Sequence, residues 1–350
     1  MKATHEPGLD AKVAFLRLAS SYPEQTCRVE ARETHMSWVF LLDAFVYKLK
    51  KPVESDCLDY RSLAARQYFC NEELRLNRRL APDVYLDVVS LNLDHNGHLS
   101  VGGKGQSVDW LVRMRRLPGE RMLDAMIERG ALHEEHIRQV VEKLFAFYRQ
   151  LPAERPEPQE YRDRLRRRIE ASAQGLSSPL YGLPASVVQA IATAQLRALS
   201  CLRATLDERA SGGHIVEAHG DLRPEHVCIT SEVSIIDCLE FSRNLRVMDV
   251  ADEIAFLSLE CERLGAPGLA SSILAWFSRL SGDNPSPALV NFYKSLRSTS
   301  RAHVAIRHLQ GPHPSRSAHW QLRALEYLQL ANLHIDRSAT TGCCTCRRVN

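Results

Sequence analysis

The chain has 350 residues, 45% hydrophobic and 25% charged, which is the mixture of a globular protein and excludes wholesale disorder. Lysine plus arginine number 45 against 42 aspartate plus glutamate, a net charge of +3, so there is no case for a dedicated nucleic-acid or anionic-membrane binder. No run of about 18 uncharged apolar residues occurs, the opening MKATHEPGLD has no signal-peptide core, and ten scattered cysteines do not resemble a disulfide-stapled scaffold; the expectation is a soluble, reduced, cytoplasmic protein with no nucleic-acid or membrane partner.

From Cys27 to Arg116 the pattern is mostly strand with one helix inserted. Trp38-Val-Phe-Leu-Leu and Ala44-Phe-Val-Tyr-Lys-Leu flank Asp43 and read as a hairpin. Leu63, Tyr68, Leu74, Leu76 and Leu80 fall near helical spacing, predicting a helix over 58–80 that Ala81-Pro82-Asp83 stops. Strands over 84–93 and 108–114 follow, separated by the turns His95-Asn-Gly and Gly102-Gly-Lys-Gly. Beyond Pro118 helical patterns dominate, over 123–128, 133–150, 160–173, 185–209, 250–264, 269–280, 289–309 and 317–336. A short β-rich island, His226-Val-Cys-Ile and Val233-Ser-Ile-Ile, interrupts them. The expected organisation is α+β: a β-rich lobe over 1–116, a helical lobe over 117–340, and a loose tail over 341–350 with Cys343, Cys344 and Cys346.

The chemistry concentrates in His219-Gly-Asp-Leu-Arg-Pro-Glu-His226 and Ile235-Ile-Asp-Cys-Leu-Glu-Phe241. Asp221 lies in a loop entering a short strand and Asp237 at the exit of the next, so a tight hairpin would bring both carboxylates to one end of the pair. Phosphoryl transfer uses one carboxylate to orient or deprotonate a hydroxyl and another acidic group to hold divalent metal on the phosphates. Val46-Tyr-Lys48 closes a hairpin strand; Lys50 shares its face by alternation. Lys48 is preferred as a phosphate contact, because Pro52 ends the strand, and a solvated basic edge is the plainer alternative. The following helix offers two adjacent acids, Glu72 and Glu73, either of which could pair with Lys48; an ordinary charged helix face explains the same letters.

These segments resemble the catalytic and metal segments of the protein-kinase fold, and more closely those of the aminoglycoside/choline phosphotransferase family. The resemblance runs from about residue 27 to 335. It is nearest to bacterial stand-alone members bearing E-T-H-x-S-W-V-F, V-Y-K-L-K-K-P and H-G-D-L-R-P-E-H. It implies a bilobal kinase-like fold with ATP between the lobes and Mg²⁺ (or Mn²⁺) on the phosphates. Asp221 would be the catalytic base, Asp237 the metal-binding aspartate, and Arg223 a group near the transferred phosphate. Glu73, by the family's spacing to Leu76-Asn77-Arg78-Arg79, would pair with Lys48, and backbone near Met114 and Arg115 would meet adenine. His219 and Asp249, the latter in Asp249-Val-Ala-Asp-Glu253, would support the catalytic loop.

His226 stands where the family has a metal-binding Asn. Imidazole suits softer first-row metals than Mg²⁺, so His226 is either a ligand, favouring Mn²⁺, or a capping or core histidine. No glycine-rich loop precedes the hairpin: Glu33-Thr-His-Met-Ser-Trp38 occupies its place. Relatives of this group are fused to a P-loop ATPase, for which no motif remains here. The expected function is transfer of the ATP γ-phosphate to a hydroxyl of a small-molecule acceptor, bound by helices after residue 245 where Arg297 and Arg301 offer polar groups. The alternative is a catalytically impaired, nucleotide-binding pseudokinase. Protein-kinase activity is disfavoured because Asp249 follows Asp237 within twelve residues, with no A-P-E segment. Three lesser features have plain explanations. The run Arg162–Arg168 reads as a solvated helix face, Cys228 and Cys238 as small core residues, and a Cys228–His226 nucleophile lacks an orienting third group.

Overall fold

Ser37–Leu41 and Phe45–Lys50 pair antiparallel around Asp43, with Phe40 opposite Tyr47 and Val39 opposite Lys48, so alternate side chains face opposite sides of the sheet. In this computed structural model, which describes residues 7–55, 58–310 and 317–342, that hairpin is the middle of a six-stranded antiparallel sheet. The order is Glu30–Glu33, Ser37–Leu41, Phe45–Lys50, Gln106–Arg115, Tyr85–Leu93, Leu99–Val101. One face buries Phe40, Tyr47, Leu49, Leu91 and Leu111 against Val13 and Leu16. The other packs Val46, Tyr85, Val112 and Met114 around Cys70 of the helix Leu63–Asn77. Each such side chain contributes about 1.5–3 kcal/mol of apolar burial.

The expected helix over 58–80 is shorter at both ends. Ser62 caps it by accepting the Ala65 N–H at 3.1 Å, and Leu58–Asp59 instead pairs with Glu54–Ser55. The helix Leu9–Leu16 was not foreseen, because its stability is tertiary. Lys12 is buried and gives its ammonium to Val108 O at 2.6 Å and Asp109 Oδ2 at 2.8 Å, while Arg66 Nε holds Asp109 Oδ1 at 2.7 Å.

The chain forms two compact units, Met1–Met126 with Glu225–Leu245, and Ile127–Pro224 with Arg246–Asn350. The break therefore does not fall at residue 116, and residues 225–245 belong with the sheet unit. The hairpin Val227–Ile229/Val233–Ile235 explains the return. Met122 bridges Cys228, Arg121 Nε donates to Ile229 O at 2.6 Å, and Ile236 packs against the Val46–Met114 cluster.

The second unit is helical, with a small sheet ordered Val247–Asp249, Ile215–Glu217, Ala153–Glu154. Strands this short carry no readable periodicity, and all three were missed. The expected helix over 185–209 is two, Ala185–Cys201 and Arg203–Ser211, bent by 64°. The bend lets Leu199, Leu202, Leu206 and Ala210 all enter one core with Phe292 and Leu296. Arg162–Arg168 is not a solvated face. Arg162 is buried and pairs with Asp207, Arg164 donates to Val247 O, and Arg168 reaches Asp252 at 3.2 Å; only Arg166 and Arg167 are exposed. The last helix runs Ser317–Gly342, six residues past its expected end. The three tail cysteines lie outside the described residues. Among the described residues no single helix is long and apolar enough to cross a membrane.

Candidate active site

In the sheet unit, Lys48 and Lys50 project from one strand face onto the helix Leu63–Asn77, as alternation predicts. Glu73 divides its carboxylate between them, Oε1 to Lys48 at 2.8 Å and Oε2 to Lys50 at 2.6 Å. Lys48 also lies 2.8 Å from Asp237 Oδ1, so three segments distant in sequence meet at one ammonium. The solvated-edge and charged-face readings fail for Lys48, Lys50 and Glu73; Glu72, by contrast, pairs with Arg75 on the surface. Burial alone would pull both ammonium groups down. The carboxylates of Asp237, Glu73 and Glu240 outweigh it at Lys48, those of Glu240 and Glu73 at Lys50, and hold both well above the usual lysine range.

Asp237 is the sole non-glycine position among the described residues with positive φ, 62°. Its N–H donates to Tyr85 Oη at 3.1 Å, and the next N–H, of Cys238, to Asn77 Oδ1 at 2.9 Å. Three residues on, Glu240 is buried, bonded to Lys50 Nζ and accepting Tyr60 Oη at 2.6 Å. Thus the Asp237 turn is fastened to helix, sheet and loop. Sequence reasoning missed Tyr60, Asn77, Tyr85 and Glu240; only the i+3 spacing of Glu240 from Asp237 and the Lys48/Lys50 alternation hinted at them. His226 Nε2 stands 3.5 Å from Asp237 Oδ2, beyond a normal hydrogen bond but close enough for both groups to face one ion. Met114 pairs with Val46 and Tyr85 within the sheet. The Arg115 N–H is taken by Val84 O at 2.8 Å and the Arg116 N–H by Ala44 O at 2.9 Å. A backbone donor to adenine at Arg115, as expected from sequence, is therefore already engaged. Burial pushes the Cys228 thiol up to about 11, so it is no thiolate nucleophile.

In the helical unit, the loop at Asp221 is clamped through its peptide groups. Gly220 adopts φ 93°, a conformation that explains glycine after His219. Glu253 accepts the His219 N–H at 3.2 Å, the Gly220 N–H at 2.6 Å and Tyr148 Oη at 2.7 Å; Arg297 donates to Gly220 O at 3.2 Å. Burial pushes the Glu253 carboxyl up, against those three hydrogen bonds. Within the loop, His219 Nδ1 accepts the Asp221 N–H at 3.3 Å. Asp249 does not brace it: its carboxylate caps the following helix through Ala251 N–H at 2.8 Å and holds Arg209 and Tyr293 Oη. The brace is Glu253, four residues on and one helical turn nearer the loop. Asp221 Oδ2 receives Arg223 Nε at 3.0 Å, and Arg301 NH1 is 3.8 Å from Oδ1. Arg297, offered by sequence as an acceptor contact, is instead buried on Asp252, at 2.7 and 3.0 Å.

Residues 64–276 match the phosphotransferase enzyme family. Uncharacterized proteins of Mycobacterium tuberculosis and Mycobacterium bovis are 29% identical over 314 residues, which is 89% of this chain and 60% of theirs. The chain thus spans about 60% of the length of the curated relatives it matches. A choline/ethanolamine kinase family protein from Mesorhizobium loti is similar in structure, with TM-score 0.52 and 15% identity, covering 94% of this chain and 99% of that one. That likeness concerns the fold, an α+β protein-kinase-like architecture with a β-rich and a helical unit. With most of its length inside the family match, this chain belongs to the phosphotransferase enzyme family.

Proposed function

We propose that this protein transfers the γ-phosphate of ATP to a hydroxyl of a small-molecule acceptor. The observation that carries the reading is Lys48, held 2.8 Å from both Glu73 and Asp237. A phosphate-binding lysine needs a carboxylate brace, and here the brace and a candidate metal ligand converge on one ammonium. Lys48 contacts the α/β-phosphates, and backbone just after the strand that carries Met114 and Arg115 meets adenine. Asp221 orients the acceptor hydroxyl and takes its proton. Arg223, at 3.0 Å from that carboxylate, offsets charge on the transferred phosphoryl group.

Asp237 and His226 present one carboxylate, which suits Mg²⁺ or Mn²⁺, and one imidazole, which favours Mn²⁺; phosphate oxygens and water would complete the site. Among the described residues no group of three or more His, Cys, Asp or Glu side chains is placed to hold a metal ion. When bound, the ion neutralises charge on the phosphates.

The decisive test follows ADP release and ATP-induced thermal shift for wild type and Asp221→Ala. Loss of transfer by at least about 100-fold, with the ATP-induced shift retained, is expected. An unchanged transfer rate overturns Asp221 as base. A second reading, a nucleotide-binding pseudokinase, is favoured by His226 in a position beside Asp237; it prevails if wild type binds ATP yet transfers phosphate to no acceptor.

A further inference from the structure

We propose that the acceptor is anionic, carrying a carboxylate or phosphate within a few bonds of the hydroxyl that is phosphorylated, and that Arg301 binds that group. The inference rests on Asp221 acting as the base of the proposed transfer, and it adds the chemical class of the acceptor. Asp221 has two oxygens in unlike surroundings. Oδ2 is engaged by Arg223, through Nε at 3.0 Å and NH2 at 3.0 Å. Oδ1 is the oxygen nearest Arg301, whose NH1 stands 3.8 Å away. An acceptor hydroxyl must come within about 2.6–3.2 Å of the base. Approaching Oδ1, it places its own neighbouring substituents against the Arg301 guanidinium.

The charges around this loop leave Arg301 as the cation in excess. Arg297 and Arg168 share the single carboxylate of Asp252, at 2.7 and 3.2 Å. Glu253 is occupied by the loop N–H groups and Tyr148. Glu260, the next acid on the same helix, is taken by Tyr327 Oη at 2.8 Å and Arg263 Nε at 2.7 Å. The guanidinium groups of Arg168, Arg223, Arg297 and Arg301 thus lie among the carboxyl groups of Asp221, Asp252 and Glu253. Arg301 stands 3.8 Å from the Asp221 carboxylate, beyond hydrogen-bond length; its side chain hydrogen-bonds the Tyr327 hydroxyl, its cation lies 5.9 Å from the centre of that ring, and its Nε is enclosed without a hydrogen-bond partner. A guanidinium so placed suits a carboxylate or phosphate, which it grips with two parallel N–H groups. A cationic acceptor meets like charge there, which selects against amines.

The test uses the full chain at low salt, with two probe series: hydroxy acids and phosphorylated alcohols of two to six carbons, and the amino alcohols ethanolamine and choline. Binding is read by thermal shift, and transfer by ADP release with ATP and metal. Wild type is expected to bind and phosphorylate a member of the anionic series. Arg301→Gln should raise its KM at least tenfold with a smaller change in kcat, and Arg301→Lys should recover part of the loss. The ATP-induced shift, unchanged in both variants, reports that they fold. Preferential use of an amino alcohol, or anion binding equal in wild type and Arg301→Gln, overturns the proposal. Absence of any Arg301-dependent anion binding overturns it as well. Failure of the underlying reading has a different signature: no ATP-induced shift in wild type, or Asp221→Ala that transfers phosphate normally.

Discussion

Asp237 and His226 illustrate how much depends on single side chains. The backbone at Asp237 is held at φ 62°, a conformation that costs a non-glycine residue about 1–3 kcal/mol. Hydrogen bonds donated by the two N–H groups of this turn to Tyr85 Oη and Asn77 Oδ1 offset that cost and aim the carboxylate at Lys48 on one side and His226 on the other. Because the imidazole of His226 stands 3.5 Å from the Asp237 carboxylate, replacing it tests metal choice directly. His226→Asn is expected to move the metal preference of ATP-induced stabilisation from Mn²⁺ toward Mg²⁺ by at least about threefold in apparent affinity. Thermal-shift titrations with each metal check it, and an unaltered preference identifies His226 as a packing residue.

At the scale of elements, ion pairs join segments that local propensity leaves independent. Lys50 ties the strand Phe45–Lys50 to Glu73 of the helix and to Glu240 beyond Asp237. Lys50→Met leaves Glu240 buried without its cation, and a loss of about 3–5 kcal/mol is expected in urea unfolding. The double variant Lys50→Met/Glu240→Leu should recover most of that stability while nucleotide affinity stays reduced; equal stability of single and double variants would refute an uncompensated charge.

In the helical unit, Glu262 joins three helices through Lys294 at 2.6 Å and His334 at 2.8 Å. Burial alone would raise its carboxyl; the hydrogen bond from His334 and the charge of Lys294 outweigh it and hold it at about 2, below the ordinary value of 4.5. A depressed folded value means stability that is present above about pH 4.5 and lost as pH falls through about 2. Glu262→Gln should therefore cost about 1.5–3 kcal/mol at pH 7 and flatten the decline in stability between pH 5 and 2. Urea midpoints measured across that range decide it.

For the molecule as a whole, proposed ATP binding and folding are linked. A ligand that binds only the native state at about 100 times its Kd adds about 2.7 kcal/mol. The protein is expected to show a metal-dependent rise in Tm of several degrees with ATP, measured by calorimetry. No rise with either Mg²⁺ or Mn²⁺ would remove the nucleotide from the proposed function.

What the sequence determined by itself is what a few neighbouring residues encode. The hairpin around Asp43 and the helices of the second unit follow from short-range periodicity. Gly220 after His219 and the spacing of Asp221, His226 and Asp237 likewise mark the candidate site without any tertiary information. Lys48 and Glu73 were legible as a pair through the resemblance of Val46-Tyr-Lys48 and of the helix carrying Glu73 to the family's segments, and alternation placed Lys50 on the face of Lys48. Only the tertiary structure decided that Lys50 shares Glu73 and reaches Glu240, 190 positions away. It also decided that Glu253 rather than Asp249 clamps the loop, and that Arg162, Arg164 and Arg168 turn inward. The reason is physical: periodicity and turn chemistry act between near neighbours, whereas a buried charge takes whichever partner the packed chain brings within about 3 Å, at any sequence distance.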